Sequence, residues 1–368
     1  MGIFKKIGVF ALTACCVVGG FSACGEEERA VEETIKAVSP KEGKIVVLAN
    51  DEVAEFAFSY ESGYNLAEPY YGKGDHYFMK TLTLEWSAKN PADEYEVALS
   101  ENANMSNKTV YLAQEESLTL SDLFVNTTYY WQVKGGEDTS RVFSFKTANT
   151  PRTIKIDGVS NTRDIGGKAT EDGRMVRQGI VYRGGKLDNI TPSGIEAFTN
   201  TYKIKTDLDL RKEGEGKQGG SPAGEEIGYY NYSCPYYTGG KVGIDCEDNY
   251  ENLAAAMRIF ANADNYPVYI HCSIGRDRTS MVSMLLLGVC GVSVNDISLD
   301  YEMSFFSESG CADSATVEQM TGSLATTMAY LFRNSSTTGT FKDACETYLL
   351  QIGLTQAEID AIRQNMIK

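Results

Sequence analysis

Histidine is almost missing from this chain: 368 residues contain two, His76 and His271. An imidazole-based zinc or iron site cannot be assembled from them, and metal catalysis would need carboxylates alone, so no metal site is expected. Positive charge is also scarce, with 34 Lys and Arg against 50 Asp and Glu and a formal net charge of −16. That balance repels nucleic-acid backbones and anionic lipid surfaces, which excludes a nucleic-acid partner from the expectations. Low-complexity tracts are absent, and no cofactor is expected. What is present is a globular composition, 42% apolar and 23% charged, in a chain long enough for two domains of about 100–200 residues.

The first residues read as an export signal. Lys5 and Lys6 form a basic start, and the apolar stretch 7–23 falls short of the about 20 residues a spanning helix needs. Phe21-Ser22-Ala23 before Cys24 resembles the lipobox cut by the lipoprotein signal peptidase, which implies a signal peptide over 1–23 and a lipid on Cys24. Cys15, after Leu12-Thr13-Ala14, is a second candidate, and a plain secretory peptide is the bland alternative. The acidic run Glu26-Glu27-Glu28 resembles the surface-export signal of some Gram-negative lipoproteins. An outer-membrane lipoprotein is therefore expected, facing the cell surface or the periplasm, with residues 24–36 as a tether.

Between 37 and 148 the pattern is one of short alternating runs: 82–86, 95–99, 129–133 and 142–145. Period two means strands with one buried face. Turn-rich spacers such as Asn90-Pro91-Ala92-Asp93 and Gly135-Gly136 separate them at intervals typical of an all-β sandwich. With Trp86 in an early strand and the approach from Leu123 to Tyr129 in a late one, the segment resembles a fibronectin type III domain. That resemblance implies a tyrosine corner at Tyr129 or Tyr130 and the role of a spacer.

After Pro151 strands and helices alternate, giving an α/β domain over 151–368 with a helical C-terminal region. Strands are expected at 180–182 and 204–210 and a helix at 192–200 begun by Thr191. The last helix, 355–366, carries Thr355 as N-cap with Glu358 completing a capping box.

The apolar strand 267–270 runs into His271-Cys272-Ser273-Ile274-Gly275-Arg276-Asp277-Arg278-Thr279, with a helix following from about Arg278 to Val289. A loop this short over a helix N-terminus can turn backbone N–H groups inward to bind a phosphate dianion, assisted by the helix dipole. The same field favours the thiolate of Cys272. Arg278 can grip two oxygens with its planar fork, and Gly275 permits the tight backbone.

This signature resembles the active-site loop of the cysteine-dependent protein tyrosine phosphatases. Upstream, Asn161-Thr162-Arg163-Asp164-Ile165-Gly166-Gly167, Tyr182-Arg183 and Asp207-Leu208-Asp209-Leu210-Arg211 resemble their atypical bacterial group, as does the helix at 296–304 with Asp300-Tyr301. The resemblance implies hydrolysis of phosphate monoesters, mainly protein phosphotyrosine, with dual specificity left open. In it Cys272 is the phosphorylated nucleophile, Arg278 the phosphate clamp, Thr279 an aid to the leaving thiolate, and Ser273, Ile274, Gly275 and Arg276 the rest of the phosphate loop. Where that group usually carries Ala, Lys and Gly in the loop, this chain has Ile274, Arg276 and Ser280, which puts phosphoinositide activity in doubt. The proton donor is Asp277 or Asp209, with Asp277 favoured. Arg163 with Asp164, and Asp207 with Arg211, are expected as structural ion pairs, and Tyr229, Tyr230, Tyr232, Tyr236 and Tyr237 as packing or as a substrate wall. A cysteine phytase or inositol phosphatase is the alternative enzyme, and a surface adhesin with a vestigial phosphatase domain the alternative without catalysis. Cysteine parity leaves Cys234–Cys246 and Cys311–Cys345 as the bridges to test, with Cys290 unpaired.

Overall fold

In a computed structural model the described residues are 33–61, 67–71, 78–216, 219–238, 241–311, 316–335 and 339–368. The signal, Cys24 and the tether as far as residue 32 lie outside them. Residues 34–368 form one compact unit.

Alternation of apolar and polar residues builds the first part. Strands β1 (Ile35–Ser39), β3 (Leu82–Ala88) and β6 (Ser117–Leu120) make one antiparallel sheet in the order β1-β3-β6. The second sheet takes β2 (Lys44–Val46), β9 (Phe143–Thr147), β7 (Thr128–Gly135), β4 (Tyr95–Ser100) and β5 (Thr109–Ala113) in that order, with β8 (Asp138–Thr139) paired to β7. Leu82, Leu84 and Trp86 of one sheet share a core with Val97, Leu99, Trp131, Val133, Phe143 and Phe145 of the other. Trp86 meets Tyr95 edge to face across it at 5.3 Å between ring centroids. The Tyr129 hydroxyl accepts from the backbone N–H of Phe124 at 2.8 Å, so of the two corner candidates it is Tyr129 that ties the chain back on itself.

Two features differ from the sequence expectation. Strand β1 begins at Ile35, inside the expected tether. More consequentially, residues expected in an all-β segment form helix α1 (Asp51–Ser59), begun by Asn50, whose side chain accepts from Val53 N. Its buried Val53, Ala54 and Phe56 belong to the core of the C-terminal domain, not to the sheets. Phe56 packs on Tyr60, Tyr70 and Phe306 with centroids 5.1, 6.5 and 5.1 Å away, and the Tyr60 hydroxyl donates to Glu302 Oε1 at 2.7 Å. Further sutures join the parts. Gln178 pairs in both directions with the backbone of Val125 at 2.9 Å, and Arg152 donates to the carbonyls of Asp122 and Leu123. The sheets are therefore docked onto the second domain through these contacts.

The second domain is built on a six-stranded sheet in the order β10 (Arg152–Thr153), β11 (Arg163–Asp164), β12 (Val181–Gly184), β17 (Val268–His271), β13 (Thr206–Asp209), β14 (Gly228–Asn231). The four strands from β12 to β14 run parallel, as βαβ connections require. Buried on both faces, β17 reads as a continuous apolar run, Val268-Tyr269-Ile270, rather than an alternating one. A small hairpin of β15 (Tyr237–Thr238) and β16 (Lys241–Val242) stands apart. Helices α2 (Pro192–Glu196), α3 (Tyr250–Ile259), α4 (Asp277–Val289), α5 (Val294–Glu302), α6 (Val317–Asn334), α7 (Phe341–Gln351) and α8 (Gln356–Met366) cover the sheet. Helix α4 is buried on every side from Thr279 to Val289, among α3, α5, α7 and α8, which is why its sequence shows no polar face. Thr355 and Glu358 form the expected capping box on α8.

Cys290 is unpaired as expected, but neither of the two expected bridges forms. Cys234 and Cys246 are free thiols, and Cys345 is a free thiol buried against Gly288, so neither proposed bridge is made. Burial pushes the thiols of Cys234 and Cys290 up to about 12, leaving them protonated packing groups.

Candidate active site

Strand β17 ends between the C-terminal ends of two parallel neighbours, with His271 level with Gly184 of β12 and Asp209 of β13. Ligands in open α/β sheets bind outside these ends. Here the chain leaves the strand at Cys272, turns through Ser273, Ile274, Gly275 and Arg276, and enters α4 at Asp277.

The turn is held from outside by its carbonyls. Asn161 Nδ2 donates to Ile274 O at 2.9 Å; Arg183 Nη2 donates to Gly275 O at 2.8 Å and Arg276 O at 3.2 Å; the Lys186 N–H donates to Ser273 O at 3.3 Å. Because N–H and C=O point opposite ways across a planar peptide, fixing successive carbonyls outward turns the loop's N–H groups toward its centre. Gly275 adopts φ +73°, and a Cβ there would stand 2.2 Å from the backbone of Gly184. No other residue fits that close approach.

Arg183 is fully buried and does more than hold carbonyls. It also donates to Ser280 Oγ, to Ser283 Oγ and, at 2.5 Å, to Asp300 Oδ2. Asp300 meets Arg163 Nε at 3.3 Å and Lys168 Nζ at 3.7 Å as well. Burial raises the carboxyl pKa, but the charges of Arg183, Arg163 and Lys168 outweigh it and hold Asp300 well below the usual carboxylate range. Arg163 also donates to Asn161 Oδ1 at 2.6 Å, so the same hub fixes the side chain that grips Ile274 O. The expected Arg163 and Asp164 pair is thus not formed: neighbours in a strand point to opposite faces, and Asp164 pairs with Arg152 at 2.8 Å instead.

Cys272 is buried at the centre of this arrangement. Desolvation raises its pKa, yet the charge of Arg278 and the hydroxyl and N–H of Thr279 outweigh that and bring the thiol below its ordinary value. Arg278 lies partly open, donating to Ser273 Oγ at 2.7 Å and to Glu215 Oε2 at 3.3 Å. Next to Cys272 in the chain, His271 Nε2 stands 2.9 Å from Asp207 Oδ1. Burial disfavours the imidazolium, but Asp207 and Asp209 overcome it and lift His271 to about 8.

The candidate acids differ sharply. Asp209 is fully buried: it accepts from Arg211 at 2.8 Å and from the Tyr229 hydroxyl at 3.0 Å. Burial raises its pKa, but Arg211 and His271 bring it below the ordinary value. Arg211 therefore pairs with Asp209 and, at 3.0 Å, with Asp188, not with Asp207, which accepts from Ser221. Asp277 lies in the loop beside Arg278, its two oxygens facing Arg276 at 3.0 Å and its Oδ1 accepting from Tyr301 at 2.9 Å. Arg276 is itself buried and donates onward to Gly310 O at 2.7 Å. Its charge is spent on Asp277 and on the backbone. Of the tyrosines, Tyr229 holds Asp209, Tyr230 and Tyr232 stack on each other and Tyr236 is buried, which is packing; the side chain of Tyr237 lies outside the described residues. The roles of Arg183 as a brace of the loop, Asp188 as a partner of Arg211, Glu215 as a partner of Arg278 and Tyr301 as a partner of Asp277 are not read from sequence. Only Tyr182-Arg183 and Asp300-Tyr301 carried a signal there.

A buried thiol held below its ordinary pKa thus sits in a strand-loop-helix turn whose carbonyls are tied outward. The sequence model of the tyrosine phosphatase family matches residues 154–368, and the chain belongs to that family. A Cupriavidus necator protein named as a tyrosine-protein phosphatase is 26% identical over 171 residues, 40% of this chain and 61% of its own length. The chain thus spans about three-fifths of that curated relative. Among solved structures, the core catalytic domain of a PP-IP phosphatase from S. cerevisiae, in complex with citrate, is similar at 19% identity, over 42% of this chain and 85% of that one, with a TM-score of 0.28.

Proposed function

We propose that the protein hydrolyses phosphate monoesters, protein phosphotyrosine first among them, through a phosphocysteine on Cys272. The observation that carries this reading is a buried thiol held below its ordinary pKa, at the centre of a loop whose carbonyls are tied outward. In the first step Cys272 Sγ attacks phosphorus, the P–O bond to the leaving group breaks, and the leaving oxygen takes a proton from Asp277. In the second, water attacks phosphorus and gives its proton to Asp277, the P–S bond breaks, and inorganic phosphate leaves. Thr279 stabilises the departing thiolate, while Arg278 and the N–H groups of 273–278 hold the phosphoryl oxygens. Asp209 serves as a structural anion for Arg211, because its carboxylate is fully buried in that pair, whereas that of Asp277, although paired with Arg276, is partly exposed beside Arg278.

The two-sheet region fits a fibronectin type III-like sandwich, supported by its shared core and by the Tyr129 corner. Lipidation of Cys24 and an outer-membrane location complete the proposal and rest on the sequence of residues 1–29 alone; mass spectrometry of the membrane-extracted N-terminal peptide tests them.

Cys272→Ser abolishes turnover of an aryl phosphate while retaining phosphate or vanadate binding, since the cradle and Arg278 remain. Substantial activity in that variant refutes the covalent mechanism.

A further inference from the structure

Arg278 meets a carboxylate before it meets any substrate, and the fold takes care to put that carboxylate there. Glu215 lies on the loop after β13, with its backbone N–H donating to Lys212 O at 2.9 Å and its carbonyl accepting from Arg211 Nη1 at 3.3 Å. Arg211 is in turn buried and fixed by Asp209 and Asp188. Next to Glu215, Gly216 fits so closely that a Cβ would stand 2.8 Å from both Arg211 Nη2 and Asp209 Oδ2. Arg211, buried and held by the buried Asp209 and the exposed Asp188, therefore anchors the backbone of a loop whose Glu215 carboxylate takes Arg278 at 3.3 Å.

We infer that Glu215 is a specificity-determining residue that occupies Arg278 in the empty site and selects against polyanionic phosphate esters. This rests on the reading of Arg278 as the phosphate clamp. The argument is one of charge at short range. A phosphate entering the cradle must displace the Glu215 carboxylate from Arg278, and the displaced carboxylate stays at the mouth of the site. A substrate bearing one phosphate on a neutral body meets that repulsion once and gains Arg278 in exchange. A substrate whose body carries further phosphates brings them up against the same carboxylate. The other loop cation gives no relief, because Arg276 is buried against Asp277 and Gly310. The site thus favours an isolated phosphoryl group over an inositol polyphosphate, and the anchoring network of 209–211 acquires a use beyond structure.

The test compares wild type, Glu215→Gln and Glu213→Gln, the last removing a neighbouring charge from the same loop. Inorganic phosphate binding is measured by titration calorimetry, kcat and KM with 4-nitrophenyl phosphate, and phosphate release from inositol hexakisphosphate. A partly exposed pair of this kind corresponds to about 1.5- to 5-fold in binding. Glu215→Gln should therefore tighten inorganic phosphate and lower KM by that factor with kcat held within about twofold, and raise relative release from inositol hexakisphosphate. Glu213→Gln should move none of these. Unchanged phosphate affinity in Glu215→Gln, or equal shifts in both variants, overturns the inference. So does a fall in kcat confined to substrates with poor leaving groups, which would make Glu215 a proton donor. The calorimetric arm reads Glu215 even in a protein without turnover, so a failure of the catalytic reading and a failure of this one give different results.

Discussion

Replacing Asp300 by Asn removes one charge and almost no volume, yet it strikes the hub on which the phosphate loop hangs. Asp300 lies 2.5 Å from Arg183, 3.3 Å from Arg163 and 3.7 Å from Lys168, and all four side chains are largely or wholly buried. The amide can accept from one guanidinium only and turns its own N–H groups toward the other, so buried cations are left uncompensated. Breaking a buried ion pair from one side costs about 3–5 kcal/mol. Against a total stability on the order of 5–15 kcal/mol that is a large share. Equilibrium unfolding in guanidinium chloride at pH 7 should show it as a lowered midpoint at unchanged slope. The pH dependence follows from the depressed carboxyl. Its contribution is complete above the ordinary unfolded value of about 3.9 and is lost as pH falls through the folded one, so the gap between wild type and variant should be constant from about pH 5 to 8 and narrow in stronger acid. A loss below about 1 kcal/mol at pH 7 would refute the reasoning, because it would mean the arginines find other partners without cost.

Three further outcomes are expected. Gly275→Ala should abolish phosphate binding while the rest of the fold survives, since a Cβ meets the Gly184 backbone at 2.2 Å at a positive φ; calorimetry with vanadate and a circular-dichroism melt decide it. The raised pKa of His271, about 8 against 6.5, should give stability that is complete below pH 6.5 and lost as pH rises through 8, by about 2 kcal/mol. Melts at pH 6 and 9 in a Cys272→Ser background should show that slope, and His271→Gln should abolish it. Phe56→Ala should destabilise the protein by about 3–5 kcal/mol although it lies some 200 residues before the cradle, because its ring packs in the catalytic core. Indifference to that change in a thermal melt would restore the picture of a detachable spacer.

The place and composition of the candidate loop were largely legible in the sequence because they are local. A cysteine, a glycine and an arginine in one turn between a strand and a helix carry the phosphate loop in themselves, and the turn is where the sequence placed it, although the helix begins one residue earlier, at Asp277. The strands at 82–86, 95–99 and 129–133 were legible for the same reason, since period two needs no partner to be seen. Pairing was not legible. Asp164 was matched to its neighbour Arg163 and Arg211 to Asp207, while the fold joins Asp164 to Arg152 and Arg211 to Asp209 and Asp188, because alternate faces and burial choose partners that spacing cannot. Helix α1 sits among strands in the sequence and has too few residues to announce which core it serves; only the docking of Phe56 and Tyr60 on the second domain assigns it. The sequence by itself determined the turn between strand and helix and the cysteine, glycine and arginine it carries, since these depend on residue type within one turn of chain. Tertiary structure alone decided that Arg183 and Asp300 brace that turn, that Asp209 is sealed in an ion pair and that Glu215 faces Arg278, because burial and the approach of segments separated in sequence choose these partners and spacing does not.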